Sequence, residues 1–571
     1  MKSYIYLIVL AAFIIQSCSS SSNKDESVDI IFYNGEIYTV DSLTSYAEAV
    51  AVKDGEIVAV GKQVEVELLK SDSTLMYDLK GAFMMPGFIE GHGHLSALGR
   101  SLINLNFINS KNWKEIVDQV DAKANEIKDG EWIEGFGWHQ EKWDEIPNLS
   151  FKDYPLHHEL SKVSENNPAM LIHASGHSLF ANKKAMDLAG ITSETPDPVG
   201  GVIVRDGNGE AIGVFEERAM SLIIDAYREY KDNLDQRKVD SLWYKAVEYA
   251  QEECIQKGVT SFQDAGSKFY ELDRYNSLAK HDSLKVRLWA MVRHSSDEMK
   301  GELQDYKSID VGNKFYTCNA IKSEIDGALG AFGAWLLKPY SDKPGYVGQN
   351  TTDVLEVKKI AELALENEMQ MCVHAIGDRA NRVVVDLYEA LLNKEDAGKD
   401  RRWRVEHAQH INPEDIPRFK ENGIIASMQG IHCTSDAPFV EKRLGEERSK
   451  NGAYAWRSFL DAGVVIANGT DAPVEDVDPI LSFYASVTRK RVDNGFEFFP
   501  SQKMTREEAI YSYTLGNAYA AFQEDYKGSI EVGKVADFVI MDTNLLTCNE
   551  EEILDTEIMA TIIDGVIYEI Q

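Results

Sequence analysis

Residues 86–94 read Pro-Gly-Phe-Ile-Glu-Gly-His-Gly-His, an apolar run that ends in two histidines separated by one residue. Side chains two apart on a β-strand lie on the same face, so His92 and His94 are predicted to point into one site. Imidazole is a good ligand for zinc and related divalent metals. On its own this short pattern leaves a structural role for the two histidines open.

The first strand opens a long alternation of apolar runs with helical patterns. Alternation of this kind favours a parallel sheet with helical crossovers, and eight strands are typical of a closed (β/α)8 TIM barrel of the α/β class. The eight predicted strands are Phe83–Ile89, Val259–Gln263, Val286–Val292, Asn319–Ile325, Met369–Ala375, Arg404–His407, Ile424–Met428 and Val464–Asn468.

Four of the later strands carry ligand-type residues. His374 and His407 lie at the ends of the fifth and sixth strands, Asp471 follows the eighth, and Lys322 lies on the fourth. The carboxyl ends of barrel strands surround one mouth, where the catalytic groups of this fold lie. The sequence therefore predicts that these residues join the histidines of the first strand in one metal site.

The two chain ends do not follow the barrel alternation. Residues 30–82 and 526–571 show short strands with turn signals, and we predict that they form one small composite β-sandwich domain. The barrel is then assigned to residues 83–525. A gap after the first strand is far longer than an ordinary βα loop, so we expect an inserted subdomain at about residues 105–250.

The first residues indicate export. A short apolar run ends in Ile-Gln-Ser-Cys at residues 15–18, which resembles a bacterial lipoprotein signal, with residues 1–17 removed and Cys18 lipidated. Residues 18–29 are polar and are predicted to form a flexible tether. We expect an enzyme of the cell envelope that contacts the membrane only through this anchor. A plain secretory signal is the alternative.

Composition excludes several classes of protein. The 571 residues are 44% hydrophobic, as in an ordinary globular protein rather than a disordered or fibrous one. The chain has 59 basic and 93 acidic residues and a net charge of −34. A protein that neutralises phosphates needs a basic face, so we expect no nucleic-acid partner.

Several motifs resemble those of the amidohydrolase superfamily, and in particular its amidohydrolase-3 branch. The similarity runs along nearly the whole mature chain, with matching motifs at residues 34–38, 54–57, 86–94, 322–330, 339–340, 374–378 and 528–537. The chain differs at Glu90, where many members have Asp, and at Val532, where many have Pro. The resemblance implies a metal-dependent hydrolase that acts on a small-molecule amide, N-formyl or cyclic amide substrate.

The resemblance also implies a role for each ligand-type residue. His92, His94 and Asp471 would hold a first metal, and His374 and His407 a second, most naturally two zinc ions. Lys322, carboxylated by carbon dioxide, would bridge both metals, because a free ammonium has no lone pair with which to ligate. Asp471 would also act as the catalytic acid and base.

Other residues are weaker candidates. Asp264, His177 and Trp138 are candidate substrate-binding residues, and Glu406 is a candidate partner of a metal ligand; structural roles for the first three stay open. Two other functions also stay open: a one-metal deaminase of the same superfamily, and a surface lipoprotein that binds a ligand without turnover. The sequence does not decide whether the chain forms a homodimer.

Overall fold

A computed structural model describes residues 27–108, 110–138, 140, 143–145, 147, 150–151, 154–173, 178–198, 201–330, 332–395 and 398–570. The strands are β1 (Ile30–Tyr38), β2 (Tyr46–Lys53), β3 (Glu56–Gly61), β4 (Leu75–Asp78), β5 (Phe83–Pro86), β6 (Phe88–Gly93), β7 (Leu105–Asn106), β8 (Ile133–Trp138), β9 (Ser150–Phe151), β10 (Tyr154–Pro155), β11 (Ala169–His173), β12 (Ser178–Ala181), β13 (Gly201–Arg205), β14 (Ala211–Glu217), β15 (Val259–Ser267), β16 (Arg287–Val292), β17 (Ser308–Asp310), β18 (Tyr316–Glu324), β19 (Gln370–Ala375), β20 (Arg404–His407), β21 (Ile425–Gln429), β22 (Ile466–Gly469), β23 (Phe538–Met541), β24 (Ile558–Ile563) and β25 (Val566–Glu569).

The α-helices are α1 (Gln63–Val66), α2 (Leu95–Ile103), α3 (Trp113–Glu126), α4 (His158–Val163), α5 (Lys183–Leu188), α6 (Met220–Asp232), α7 (Gln236–Gln256), α8 (Phe269–Lys280), α9 (Ser296–Met299), α10 (Leu303–Tyr306), α11 (Val311–Lys314), α12 (Val354–Glu366), α13 (Asp378–Glu395), α14 (Ile416–Glu421), α15 (His432–Ser435), α16 (Ala437–Leu444), α17 (Glu446–Gly452), α18 (Trp456–Asp461), α19 (Pro479–Thr488), α20 (Arg506–Tyr513) and α21 (Leu515–Ala520). Within these described residues, no helix combines the length and apolar character needed to cross a membrane.

Eight parallel strands form the centre of the molecule, in the order β6–β15–β16–β18–β19–β20–β21–β22. They are buried on both faces, which explains their near-continuous apolar runs. The last strand returns to the first, where the Asp471 amide donates to the His92 carbonyl at 2.7 Å. The predicted (β/α)8 barrel fold is confirmed, and its strands nearly close.

The first predicted strand is wrong in extent. Phe83–Pro86 pairs with β23 in a different sheet, and the barrel strand begins only at Phe88. The two strands are separated by Gly87 alone. A Cβ at position 87 would lie 2.2 Å from the Thr260 side chain, so only glycine lets the chain pass between the sheets here.

Both ends of the chain contribute to that other sheet, whose order is β25–β24–β23–β5–β1–β2–β3, with β4 beside β1. The two ends meet where Met85 pairs with Val539 in antiparallel register. Phe32, Met84 and Phe538 lie in the apolar core on one face of the sheet.

The segment after α2 forms a separate six-stranded sheet in the order β13–β14–β12–β11–β8–β7. Its core is aromatic and includes Trp113, Trp138 and Phe180. The chain then returns through α7, which contacts α2, to the second barrel strand. The insertion lies next to the barrel mouth, because its residues Glu134 and Met170 line one cavity with Pro473, which follows the eighth barrel strand.

Candidate metal centre

The ends of the first, sixth and eighth barrel strands bring a carboxylate between imidazole rings. Asp471 Oδ1 lies 3.2 Å from His94 Nε2 and 3.7 Å from His92 Nε2. Its second oxygen, Oδ2, lies 4.0 Å from His407 Nδ1. One ligand atom each from His92, His407 and Asp471 fall within 4.8 Å of one another, close enough to share one metal ion.

The fourth and fifth strands extend this group. Lys322 Nζ lies 3.4 Å from His92 Nε2, and the His374 ring centroid lies 4.5 Å from that of His407. His374 Nε2 is buried and has no hydrogen-bond partner; Asp326 Oδ1 lies 3.7 Å away. Thus all six ligand-type residues predicted from the sequence lie in one continuous cluster.

This cluster fits a divalent metal. Burial lowers the pKa of His92 to about 4 and that of His374 to about 3, so both rings are neutral and can ligate near pH 7. Burial also lowers the pKa of Lys322, which favours its neutral amine. An unpartnered buried imidazole nitrogen beside other imidazoles and a carboxylate is the donor set that zinc and its neighbours prefer.

A buried ion pair orients the first histidine. His92 Nδ1 is hydrogen-bonded to Glu406, and Arg404 Nε lies 2.7 Å from the other Glu406 oxygen. Burial alone would raise the pKa of Glu406, but Arg404 and His92 outweigh it and keep the carboxylate ionised. Carboxylates of this kind fix the ring and increase its basicity as a ligand. Glu406 therefore supports His92 and not its sequence neighbour His407.

Glu90 joins the first strand to the eighth. It is buried and accepts hydrogen bonds from the Thr470 amide (2.7 Å), the Thr470 hydroxyl (3.0 Å) and the His92 amide (3.1 Å). Burial raises the pKa of Glu90 to about 8. A Cβ at Gly469 would lie 2.3 Å from Glu90 Oε1, so the glycine leaves room for this carboxyl group.

Two of the ligand-type residues have strained backbone. The φ angles are +72° at His407 and +61° at Asp471, a region that residues other than glycine seldom adopt. Conformations of this kind persist where the surroundings impose them, and they cluster at functional sites. His407 is further held by Gln429, whose Oε1 lies 2.8 Å from Nδ1.

Four residues near the cluster were not among the predicted site residues. Arg404 lies two positions before Glu406, on the same face of the strand, and this spacing could have revealed it. Gln429 at the end of the seventh strand offered a similar signal. Asp326 accepts three backbone hydrogen bonds, and the His432 ring lies parallel to that of His407 at 6.5 Å. Only the tertiary structure brings these last two residues to the site.

The predicted substrate-binding residues lie in three different situations. Asp264 accepts hydrogen bonds from the Leu95 amide (2.9 Å) and the Ser267 hydroxyl, so it holds the chain directly after His94. Trp138 is fully buried in the insertion core, which does not support a role in binding substrate. His177 lies outside the described residues, as does Cys18.

Residues 76–568 match the model of the family described as Amidohydro_3, amidohydrolase family. The chain belongs to this amidohydrolase family. The resemblance proposed from the sequence motifs is thereby confirmed, and the amidohydrolase fold of metal-dependent hydrolases agrees with the ligand-type cluster at the barrel mouth.

Two relatives cover almost the whole amidohydrolase chain. The chain is 31% identical to the putative amidohydrolase YtcJ of Bacillus subtilis, over 94% of this chain and 99% of the relative. It is 28% identical to N-substituted formamide deformylase of Arthrobacter pascens, over 94% and 98%. Among solved structures, an uncharacterised metal-dependent hydrolase from Pyrococcus horikoshii is similar, with a TM-score of 0.74, 25% identity and coverage of 91% and 99%.

Proposed function

We propose that this amidohydrolase hydrolyses a C–N bond in a small molecule: an amide, an N-formyl group or a cyclic amide. The observation that carries the proposal is the placement of Asp471 between His94, His92 and His407 at the barrel mouth. Support also comes from the relative named for deformylation of N-substituted formamides, which matches 94% of the chain.

The residues present suit two divalent metal ions, with zinc as the first expectation. His92, His94 and Asp471 would hold one ion, and His374 and His407 the other. Lys322 would bridge them as a carbamate, which supplies two oxygens where the free amine supplies none. When bound, such ions lower the pKa of water and polarise a carbonyl group.

The chain's own residues then move the proton. Asp471 accepts a proton from the attacking water while the oxygen of that water bonds to the substrate carbonyl carbon. The same carboxyl group gives this proton to the leaving nitrogen as the C–N bond breaks. The products are a carboxylic acid (formic acid for an N-formyl substrate) and an amine. Glu406 and Arg404 hold the His92 ring throughout.

Metal analysis beside a turnover screen tests this function. The enzyme is loaded with zinc, and metal per chain is measured by mass spectrometry on the sample used for the screen. The screen covers N-substituted formamides, N-acyl amino acids, cyclic amides and aminated heterocycles. About two metals per chain with release of an amine is the expected result.

Three other outcomes would overturn it. One metal per chain with release of ammonia from a heterocycle would indicate the one-metal deaminase instead. Ligand-dependent stabilisation without turnover on any class would indicate a binding protein. Turnover that persists after complete metal removal would exclude metal-assisted hydrolysis.

We also propose that the enzyme is anchored in the cell envelope through lipidated Cys18. The support is the apolar run ending in Ile-Gln-Ser-Cys at residues 15–18 and the polar segment after it. Durable attachment needs more than one acyl chain, as bacterial lipoproteins carry. Cys18→Ala should leave the protein unprocessed or release it from the membrane fraction, with Ser19→Ala as the control. A Cys18→Ala protein that fractionates and matures like wild type would contradict the anchor.

A further inference from the structure

The first and eighth barrel strands, β6 and β22, meet at a seam that lacks the pairing found between the other barrel strands. Within the described chain, β6 pairs with β15 and β22 with β21, but no residues of β6 and β22 are paired in register. The proposed base, Asp471, lies at this seam, two residues after the end of β22. By contrast, His374 on β19 is paired with both neighbouring strands. The backbone that carries Asp471 is therefore held by other groups.

Glu90 holds this backbone from the opposite side of the seam. Its Oε1 accepts the Thr470 amide (2.7 Å) and the His92 amide (3.1 Å), and its Oε2 accepts the Thr470 hydroxyl (3.0 Å). The oxygen of that hydroxyl in turn accepts the Ala472 amide at 3.2 Å. The amide between them, that of Asp471, donates to the His92 carbonyl. Two of three consecutive amides around Asp471 thus depend on Glu90, directly or through the Thr470 hydroxyl.

Two further observations connect this arrangement to the direction of the Asp471 side chain. The φ angle of Asp471 is +61°, a conformation that residues other than glycine seldom adopt and that surrounding contacts must maintain. Glu90 is only 1% exposed, and its carboxyl group fits because position 469 carries no Cβ. With the backbone held in this way, Asp471 Oδ1 lies 3.2 Å from His94 Nε2.

We propose that Glu90 is a positioning residue, which directs the Asp471 carboxylate at the metal cluster by fixing the backbone on both sides of it. The inference rests on the proposed function, because that function assigns Asp471 as the base. The role needs hydrogen-bond acceptors and not a charge. A glutamine at position 90 can keep its oxygen on the two amides and donate its NH₂ group to the Thr470 hydroxyl oxygen.

Kinetics of the full, metal-loaded enzyme test this role with a matched control. Glu271 is also buried and also accepts three hydrogen bonds, from the Ser96 hydroxyl, the Trp243 indole and the Lys268 amide. Glu90→Ala should lower kcat by about 10–100-fold without raising KM, whereas Glu271→Ala should lower the Tm and leave kcat unchanged. Glu90→Gln should stay within a few fold of the wild-type kcat.

A double-mutant cycle separates positioning of the base from general support of the fold. In the Asp471→Asn enzyme, Glu90→Ala should cause little further loss of kcat, because the base that Glu90 positions is already absent. A merely structural role would lower kcat by the same factor in both backgrounds. If Glu90→Ala does not fold, Thr470→Val replaces it, since it removes only the hydroxyl. Its kcat should fall by about 2–10-fold, and a wild-type kcat would overturn the proposal.

Competition with a metal chelator needs no substrate, so it separates this proposal from the proposed function. Asp471 is also a proposed ligand, so Glu90→Ala should bind zinc about tenfold more weakly than Glu271→Ala. If the wild-type enzyme binds zinc but hydrolyses no C–N substrate, the proposed function fails and zinc affinity still decides the role of Glu90.

Three results would overturn the positioning role. The first is equal kcat and zinc affinity in Glu90→Ala and Glu271→Ala. The second is a loss in Glu90→Gln as large as that in Glu90→Ala, which would indicate that the charge matters. The third is an equal further loss when Glu90→Ala is added to Asp471→Asn.

Discussion

The barrel mouth and the insertion place similar residues at the ends of parallel strands, but surround them differently. In the barrel, β20 ends in His407, next to Glu406, which is paired with a buried arginine. In the insertion, the neighbouring parallel strands β8 and β11 end in Trp138 and His173. Their rings contact each other at 4.6 Å, and Trp138 also lies against Phe180 in an apolar core.

This difference shows that the residue type at a strand end does not define a site. The barrel histidines pack against buried charged groups. Burial of such groups costs free energy unless each one has its partner. Trp138 packs against apolar side chains. Their burial stabilises the insertion and supplies no catalytic group. A buried charged partner of a histidine is therefore a better indication of function than the residue type at the strand end.

The largest effect is expected at Asp471. Asp471→Asn keeps the shape and one oxygen of the proposed ligand but removes the proposed base, so turnover should fall by about 10²–10⁴-fold while most of the metal remains. Kinetics and metal analysis on one sample test this. Asp264→Asn is the matched control: its carboxylate is already engaged by Leu95 and Ser267, so it should lose far less activity. If Asp471→Asn retains a rate within a few fold of wild type, another group moves the proton.

The second-largest effect is expected when Lys322 is substituted. Lys322→Ala should lose metal, most of it from the proposed second position, and activity with it. Short carboxylic acids should partly restore both by supplying the missing oxygens, as measured by metal content and rate against acid concentration. The bridge would be excluded by a Lys322→Ala enzyme that keeps two metals and full turnover.

A smaller effect is expected at Glu406. Glu406→Gln removes the charge that pairs with Arg404 and orients His92, so metal affinity should fall by about 10–100-fold. Competition with a metal chelator measures this. Glu271→Gln is the control, since Glu271 is also buried but accepts its hydrogen bonds from the Ser96 hydroxyl, the Trp243 indole and the Lys268 amide, none of which is a ligand-type residue. Equal metal affinity in the two variants would contradict the orienting role of Glu406.

The smallest effect on the metal is expected in the insertion. Trp138→Phe removes the indole N–H that donates to the Leu171 carbonyl at 2.8 Å, so the free energy of unfolding should fall by about 1–3 kcal/mol. Metal content and kcat should not change. Denaturant unfolding and metal analysis test the two parts. If Trp138→Phe lost metal, the insertion core would also support the metal cluster, and the contrast between the two regions would be wrong.

Much of the barrel could be predicted because its strands are apolar runs with clear ends. Arg404–His407 has the predicted bounds, and the six ligand-type residues are grouped as the strand ends imply. The break at Gly87 could not be seen, because apolar residues flank it on both sides and only the contact with Thr260 requires it. Asp326 and His432 were missed because Asp326 lies in the loop after β18 and His432 begins α15 after β21, and the paths of such segments depend on tertiary packing. The sequence left Trp138 with both a substrate-binding and a structural interpretation, because an aromatic side chain has the same pattern in a core as in a binding wall.

The single residue between β5 and β6 also limits how this protein can be divided. Phe83 and Met85 of the small sheet, and Val539 and Met541 from the other chain end, belong to the same apolar core as the barrel. A gene fragment cut at Gly87 would expose that core and free the strand that carries His92. The barrel and the two chain ends are therefore expected to fold as one unit, and a barrel separated from them would lose part of its core.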